Sequence, residues 1–269
     1  MNAEHVTSLA RVVDPRYPSN RLVLIGALVA GLAVGAAALL GVDPKAGPVA
    51  AAVGVFLAWA IARELDPDHP ASAAIAIPVS LALSLTIGPS ALLVSTAVLL
   101  GLRMTAGTVG TPLRLLDMIG IVGLSAALGT GLIGAAGVAV MAVGIVISEG
   151  PEWRSFAIAA AAAIAYASVA AVSGIERTLT APNTAEWVAI GLAVVATLLV
   201  VPARTPTSET DRRTGAVVRS RVTVARIIAG LAMLLGLGLT GGVGVAALAG
   251  TTTAALTGTA IRRSVRHFS

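Results

Sequence analysis

The stretch GLRMTAGTVGTPLRLLDMIG, residues 101–120, gathers the side chains best placed to do chemistry. Arg103 closes one apolar run. Thr111 and Pro112 read as the N-cap and first position of the next helix, on which Arg114 and Asp117 fall three apart on one face. Asp117 reads as the only acidic residue inside an apolar run rather than in a linker. An ionisable group at membrane depth is costly and turns toward a cavity or a partner, so Asp117, Arg103 and Arg114 are the candidates for substrate binding or proton coupling. The alternative is an ion pair. Asp117 lies about one and a half turns past Pro112, where a helix N-terminus favours a carboxylate and Arg114 or Arg103 is in reach. The connector TAGTVGTP, flanked by those arginines, also has the character of an anion cradle.

A second constellation, ARELDPDHPASA at 62–73, concentrates Glu64, Asp66, Asp68 and His69 between and beside Pro67 and Pro70. Hard divalent cations take several oxygens, so Glu64, Asp66 and Asp68 are candidate Mg2+ ligands of a membrane enzyme acting on lipid or polyprenyl phosphates, with arginines holding phosphate. A proton or cation gate is a further reading. Aspartate-rich motifs of such enzymes space their acids along helices, whereas two prolines here hold the backbone turned. Turn chemistry accounts for the same residues, with one helix ending at Arg63 and the next capped by Asp68. Outside the enzyme reading no cofactor is expected. The chain lacks a GxSxG elbow, a Walker loop, an HExxH pair and a dinucleotide fingerprint.

Hydroxyls form a third pattern. Ser72, Ser80 and Ser84, with Ala76, recur at four-residue steps beside Pro78, and Thr251, Thr252, Thr253, Thr257 and Thr259 crowd the last apolar run. The same interval serves helix packing in lipid and the lining of a polar path.

These residues sit in a chain of 269 residues that is 57% hydrophobic and 12% charged, with a mean hydropathy of +0.93. That is far from the composition of soluble domains and points to a multi-pass helical membrane protein. Twenty-nine glycines suit helices packed backbone to backbone. With no cysteine there is no disulfide, thiolate metal site or cysteine nucleophile. The placement of His5, His69 and His267 in loops or termini excludes a multi-histidine haem or copper site. The isoelectric point near 10.9 reflects loop arginines facing anionic headgroups, so no nucleic-acid partner is expected.

Apolar runs at about 21–41, 47–63, 71–87, 89–103, 113–129, 131–148, 154–173, 185–202, 222–240 and 242–261 predict an all-α transmembrane bundle of about ten short helices. With both termini cytoplasmic, all 18 basic residues except Lys45 and Arg177 fall on inside-facing stretches. Three pairs of runs, 71–103, 113–148 and 222–261, are joined by uncharged turns, IGP, GTG and TGG. If those hairpins are re-entrant the span count drops to eight or six with unchanged orientation. Ten is favoured, because irregular turns at mid-membrane depth need protein or water around them. Trp59, Trp153 and Trp187 are expected at the interfaces.

Residues 1–20 read as a cytoplasmic or interfacial segment, with a short helix expected over 3–13 and the first apolar run kept as a span rather than a signal peptide. Helices one to eight then occupy 21–202, a mobile cytoplasmic linker 203–221, a transmembrane hairpin 222–261 and a basic tail 262–269. No internal repeat emerges. In length and plan the chain resembles small drug and metabolite transporters, which implies a permease of the cytoplasmic membrane working by alternating access on a small molecule. The other expectations are the phosphate-lipid enzyme above and a non-catalytic scaffold subunit. The lipid bilayer is the expected partner, and the small-residue faces are compatible with a homo-oligomer.

Overall fold

Proline sets three of the helix starts. Pro18, Pro48 and Pro70 occupy first-turn positions, where a missing N–H leaves no bond unmade and the fixed φ suits a helix. The computed structural model describes residues 7–9, 11, 13–42, 44–109, 111–175, 178–202, 205–210 and 216–265. It is all helical, with α1 (Pro18–Leu39), α2 (Pro48–Leu65), α3 (Pro70–Thr86), α4 (Leu92–Ala106), α5 (Leu115–Leu128), α6 (Gly134–Glu149), α7 (Trp153–Ser173), α8 (Thr184–Val200), α9 (Arg219–Thr240) and α10 (Gly242–Val265). α10 runs through a π-helical turn at Ala249–Thr253. Among the described residues there is no strand, only isolated bridges pairing Thr180 with Gly241 and Glu209 with Ala216.

α1, α2, α7, α9 and α10 are long and apolar enough to cross a membrane, and α3, α4, α5, α6 and α8 are shorter apolar helices. α10 is the hub, packed against α2, α3, α8 and α9, with 89% of its most apolar window buried against 17% for α1 and α7. Leu24, Leu28 and Leu32 of α1 and Val195 and Leu198 of α8 stay exposed. An apolar band of that extent is foreign to a water-facing monomer and compatible with a membrane protein.

Glycine sets how closely the helices approach. A Cβ on Gly101 of α4 would stand 2.6 Å from the Val140 carbonyl oxygen of α6, and one on Gly144 of α6 2.5 Å from the Gly101 carbonyl oxygen. The two backbones are in direct contact, the arrangement small residues permit where lipid supplies no hydrophobic drive. α10 meets α3 in the same way, since a Cβ on Gly258 would stand 2.5 Å from the Ser72 carbonyl oxygen.

Several expectations shift. α5 begins at Leu115 with Arg114 as N-cap, so Thr111 and Pro112 lie in the connector. His69, not Asp68, is the N-cap of α3. Trp153 and Trp187 are exposed near helix ends, but Trp59 is buried and packs on Phe56 with ring centroids 5.9 Å apart. α9 starts at Arg219, inside the stretch read as linker. Of the segment expected to be helical over 3–13, Thr7–Leu9 are non-helical, and Val6 and Val12 lie outside the described residues, as do His5, Arg177, Arg204, Arg212, Arg213, Arg266 and His267.

Candidate functional site

One end of the bundle, where α2, α4, α6, α8 and α10 finish and α3, α5, α7 and α9 begin, holds nearly every ion pair found among the described residues. Two networks form there, centred on acidic residues with one residue between them in sequence.

The first surrounds Glu64, in the last turn of α2 and fully buried. Arg103, in the last turn of α4, donates from Nε to Glu64 Oε1 at 2.8 Å, and Arg11 approaches the same oxygen at 3.4 Å. Thr108 donates to the other carboxylate oxygen. Arg103 also donates to the Leu9 carbonyl at 2.5 Å. Asp117 is therefore not the only acidic residue buried in a helix, and Arg103 serves Glu64 rather than Asp117.

Asp117 fastens the N-terminal segment. Its carboxylate accepts the Ser8 amide at 2.8 Å, the Ser8 hydroxyl at 2.6 Å, the Leu9 amide at 3.3 Å and the Thr7 hydroxyl. It also accepts the Arg114 amide at 2.9 Å, so it satisfies an open donor of its own helix. Arg114 enters this arrangement through its backbone, and Leu9 links Asp117 to Arg103. Arg221 packs against the start of the connector TAGTVGTP. Gly107, at φ +68°, ends α4 and leaves room for the guanidinium, which donates to the Thr105 and Met104 carbonyls at 2.9 and 2.6 Å.

The second network centres on Asp66, just past α2 and nearly buried. It accepts the Ser72 hydroxyl at 2.5 Å and lies 3.1 Å from His69 Nδ1, 3.7 Å from Arg226 and 3.6 Å from Arg262. Arg226 donates to the Leu65 and Val200 carbonyls at 2.7 and 2.8 Å, and Arg263 reaches Val200 at 2.9 Å. These arginines of α9 and α10 cap the carbonyl-rich ends of α2 and α8, where positive charge is favoured. Asp68 turns away from α3 and accepts the Thr207 amide at 3.0 Å, the Ser208 amide at 2.8 Å and the Ser208 hydroxyl at 2.5 Å. Burial works to raise the Asp68 pKa, but those donors and nearby His69 outweigh it and hold the carboxyl below its ordinary value.

Between the α2–α3 turn, the end of α8, the linker and the ends of α9 and α10 lies a cavity of about 570 Å³. Arg219, Arg226, Arg262 and Arg263 border it along with Asp66, Asp68 and His69, four guanidiniums against two carboxylates. Guanidinium groups are suited to carboxylate and phosphate oxygens.

Glu64, Asp66 and Asp68 thus point to three separate sets of partners. Among the described residues, no group of three His, Cys, Asp or Glu is arranged to hold a metal ion. Sequence reading passed over Arg226, which is 2% exposed and carries its own signal, an arginine within the apolar run VTVARIIAGLAM.

From Asp66 a file of buried hydroxyls leads into the bundle. Ser72, Ser80 and Ser84 of α3 span about 18 Å and face α10, with Ser80 donating to the Gly250 carbonyl and Ser95 of α4 bonded to Thr251 at 2.9 Å. Compared with known protein families, characterised proteins and solved structures, the chain matches none.

Proposed function

We propose that the protein is a multi-pass permease of the cytoplasmic membrane, with ten thin spans and both termini inside, that admits a small anionic molecule through the arginine-bordered cavity. The observation that carries this reading is the arginine-bordered cavity itself, whose Asp66 wall accepts the hydroxyl of Ser72, the first of the buried serines along α3. An anion is drawn by Arg219, Arg226, Arg262 and Arg263, and the hydroxyls supply hydrogen bonds in place of water along the way in. The apolar outer face, the five long apolar helices and the clustering of arginine at one end support the membrane setting. In this reading Asp117, Arg103 and Arg114 lock the inner end rather than touch the substrate.

Membrane passage is tested with single cysteines, since the chain has none of its own. Pro89→Cys, Thr130→Cys and Val243→Cys are expected to label from outside, and Glu152→Cys and Thr205→Cys only from inside. Protection of the first three would remove the ten-span count. Transport is tested in proteoliposomes with labelled phosphate and small carboxylates. Uptake above empty liposomes, lowered several-fold by Arg219→Gln, is expected, and no uptake of any anion would sink the permease reading.

A second reading, an enzyme acting on a lipid or polyprenyl phosphate, is favoured by the contact of His69 with Asp66 on the cavity wall, an orientation suited to general-base work. Turnover of such a lipid that disappears in His69→Ala would establish it.

A further inference from the structure

The π-helical turn of α10 does something that neither packing nor the arginine cavity explains. Within Ala249–Thr253 the hydrogen-bond step lengthens, so that the Ala254 amide donates to the Ala249 carbonyl five residues back. Nearby carbonyls are released to outside partners. Ala247 accepts the Ala91 amide at 2.9 Å, and Gly250 accepts the Ser80 hydroxyl. π-turns inside α-helices recur at functional sites because they aim backbone oxygens outward.

Three serines converge on this point from α3 and from the α3–α4 connection. A Cβ on Gly250 would stand 2.7 Å from Ser90 Oγ and 2.9 Å from Ser84 Oγ, so both oxygens crowd the one space that the missing side chain leaves open. Ser80 is on the same glycine's carbonyl. Ser90 is 5% exposed, and its hydroxyl has no hydrogen-bond partner among the described residues. Thr252 and Thr253, within the π-turn itself, are fully buried and equally without a partner for their hydroxyls. Buried hydroxyls are ordinarily hydrogen-bonded, so the open Ser90 oxygen held against Gly250 calls for an occupant.

The donor set defines the occupant's chemistry. Every group converging on Gly250 is a neutral oxygen, a hydroxyl or a carbonyl. A divalent cation asks for carboxylates to offset its charge, whereas carbonyl and hydroxyl oxygens suffice to replace the hydration shell of a monovalent one. We propose that the π-turn of α10, with Gly250 and the hydroxyls of Ser80, Ser84 and Ser90, forms a binding site for a monovalent alkali cation, sodium in the first instance. On the permease reading, on which this part rests, the cation is the coupling ion: its site shares Ser80 and Ser84 with the hydroxyl file that the anion would follow, and irregular helices carry such sites in ion-coupled carriers.

The experiment is a cation titration of the full chain purified in detergent, at constant ionic strength with choline as the replacement ion, read by thermal unfolding. Sodium is expected to raise Tm saturably by a few degrees relative to choline, because an ion that binds only the folded state stabilises it by mass action. Ser90→Ala and Ser84→Ala are each expected to abolish the sodium-specific shift. Gly250→Ala, whose methyl group would stand between those hydroxyls, is expected to do the same. A wild-type protein with equal Tm in sodium and choline overturns the site, as does a sodium shift that survives in both serine variants. The wild-type titration decides the matter even if a variant does not fold. Coupling is read separately, from labelled phosphate uptake with and without a sodium gradient. Uptake indifferent to sodium overturns the coupling role and leaves the permease reading, whereas sodium stabilisation without anion uptake overturns the permease reading and leaves the site.

Discussion

The two ends of the bundle close by different chemistry. At one, Glu64, Asp66, Asp68 and Asp117 are each matched to arginines or amides from distant parts of the chain. At the other, closure is made by backbone and hydroxyl contacts: Thr180 bridges Gly241, Asn183 and Glu186 cap α8 reciprocally, and Lys45 donates to the Thr86 carbonyl at 2.9 Å. Charge at the first end serves twice, because Arg226 and Arg263, which cap α2 and α8, also border the cavity. Among the described residues, the second end carries a single capping carboxylate, Glu186, and a single exposed lysine, Lys45, and the oxygens gathered at the π-turn are hydroxyls and carbonyls.

The sharpest way to break this contrast is Glu64→Leu. It strands Arg103, 8% exposed, without its buried carboxylate, and unfolding in detergent is expected to be easier by about 3–5 kcal/mol, with much of the loss recovered in the double variant Glu64→Leu/Arg103→Leu. Gly258→Val strikes just inside the charged end, on the α10 face against Ser72. Its side chain would collide with α3 backbone 2.5 Å from the Cβ position, costing about 1–3 kcal/mol in the same assay.

Asp117→Ala separates anchoring from coupling. It leaves the Ser8 donors without their acceptor, and a loss of about 1–2 kcal/mol is expected, with faster proteolysis of the first residues as the local readout. Normal N-terminal protection in that variant would contradict the anchoring role.

Asp68 tests whether the linker belongs to the charged end. Its pKa is held below the ordinary 3.8, so its tether is fully made above that value and is lost as pH falls through the lowered one. Amide hydrogen exchange at Thr207 and Ser208, corrected for its intrinsic pH dependence, is therefore expected to be protected at neutral pH and to lose that protection only in that acid range, with no such pH-dependent loss in Asp68→Asn. Lys45→Ala, at the opposite end, is exposed and is expected to change stability by less than about 0.5 kcal/mol.

The helices were legible in the sequence because apolar runs, N1 prolines and glycine turns are local signals, and the ends of most lie within a few residues of the runs. The site was legible only in its membership. Glu64, Asp66, Arg103 and Asp117 stood out by charge, but their partners are tens of residues away. Arg103 found Glu64, 39 positions earlier, and Asp117 found Ser8, 109 positions earlier. No spacing rule reaches that far. Asp68 was read as a cap because capping is the local use of such an aspartate, and tertiary contact with Ser208 won instead. The π-turn left one trace, a glycine ahead of three threonines, which is indistinguishable from a packing face until α3 is laid beside it.

The position of α10 at the hub has a consequence for synthesis. It follows in chain order every helix that encloses it, so α2, α3, α8 and α9 emerge from the ribosome before the element that fills the space among them. Until it arrives, their small-residue faces and hydroxyls have only lipid, water or a chaperone for company, and the nascent chain waits as an open ring. Lesions in the last two dozen residues are therefore expected to act as quality-control failures, lowering the amount of protein in the membrane more than they alter the behaviour of what remains.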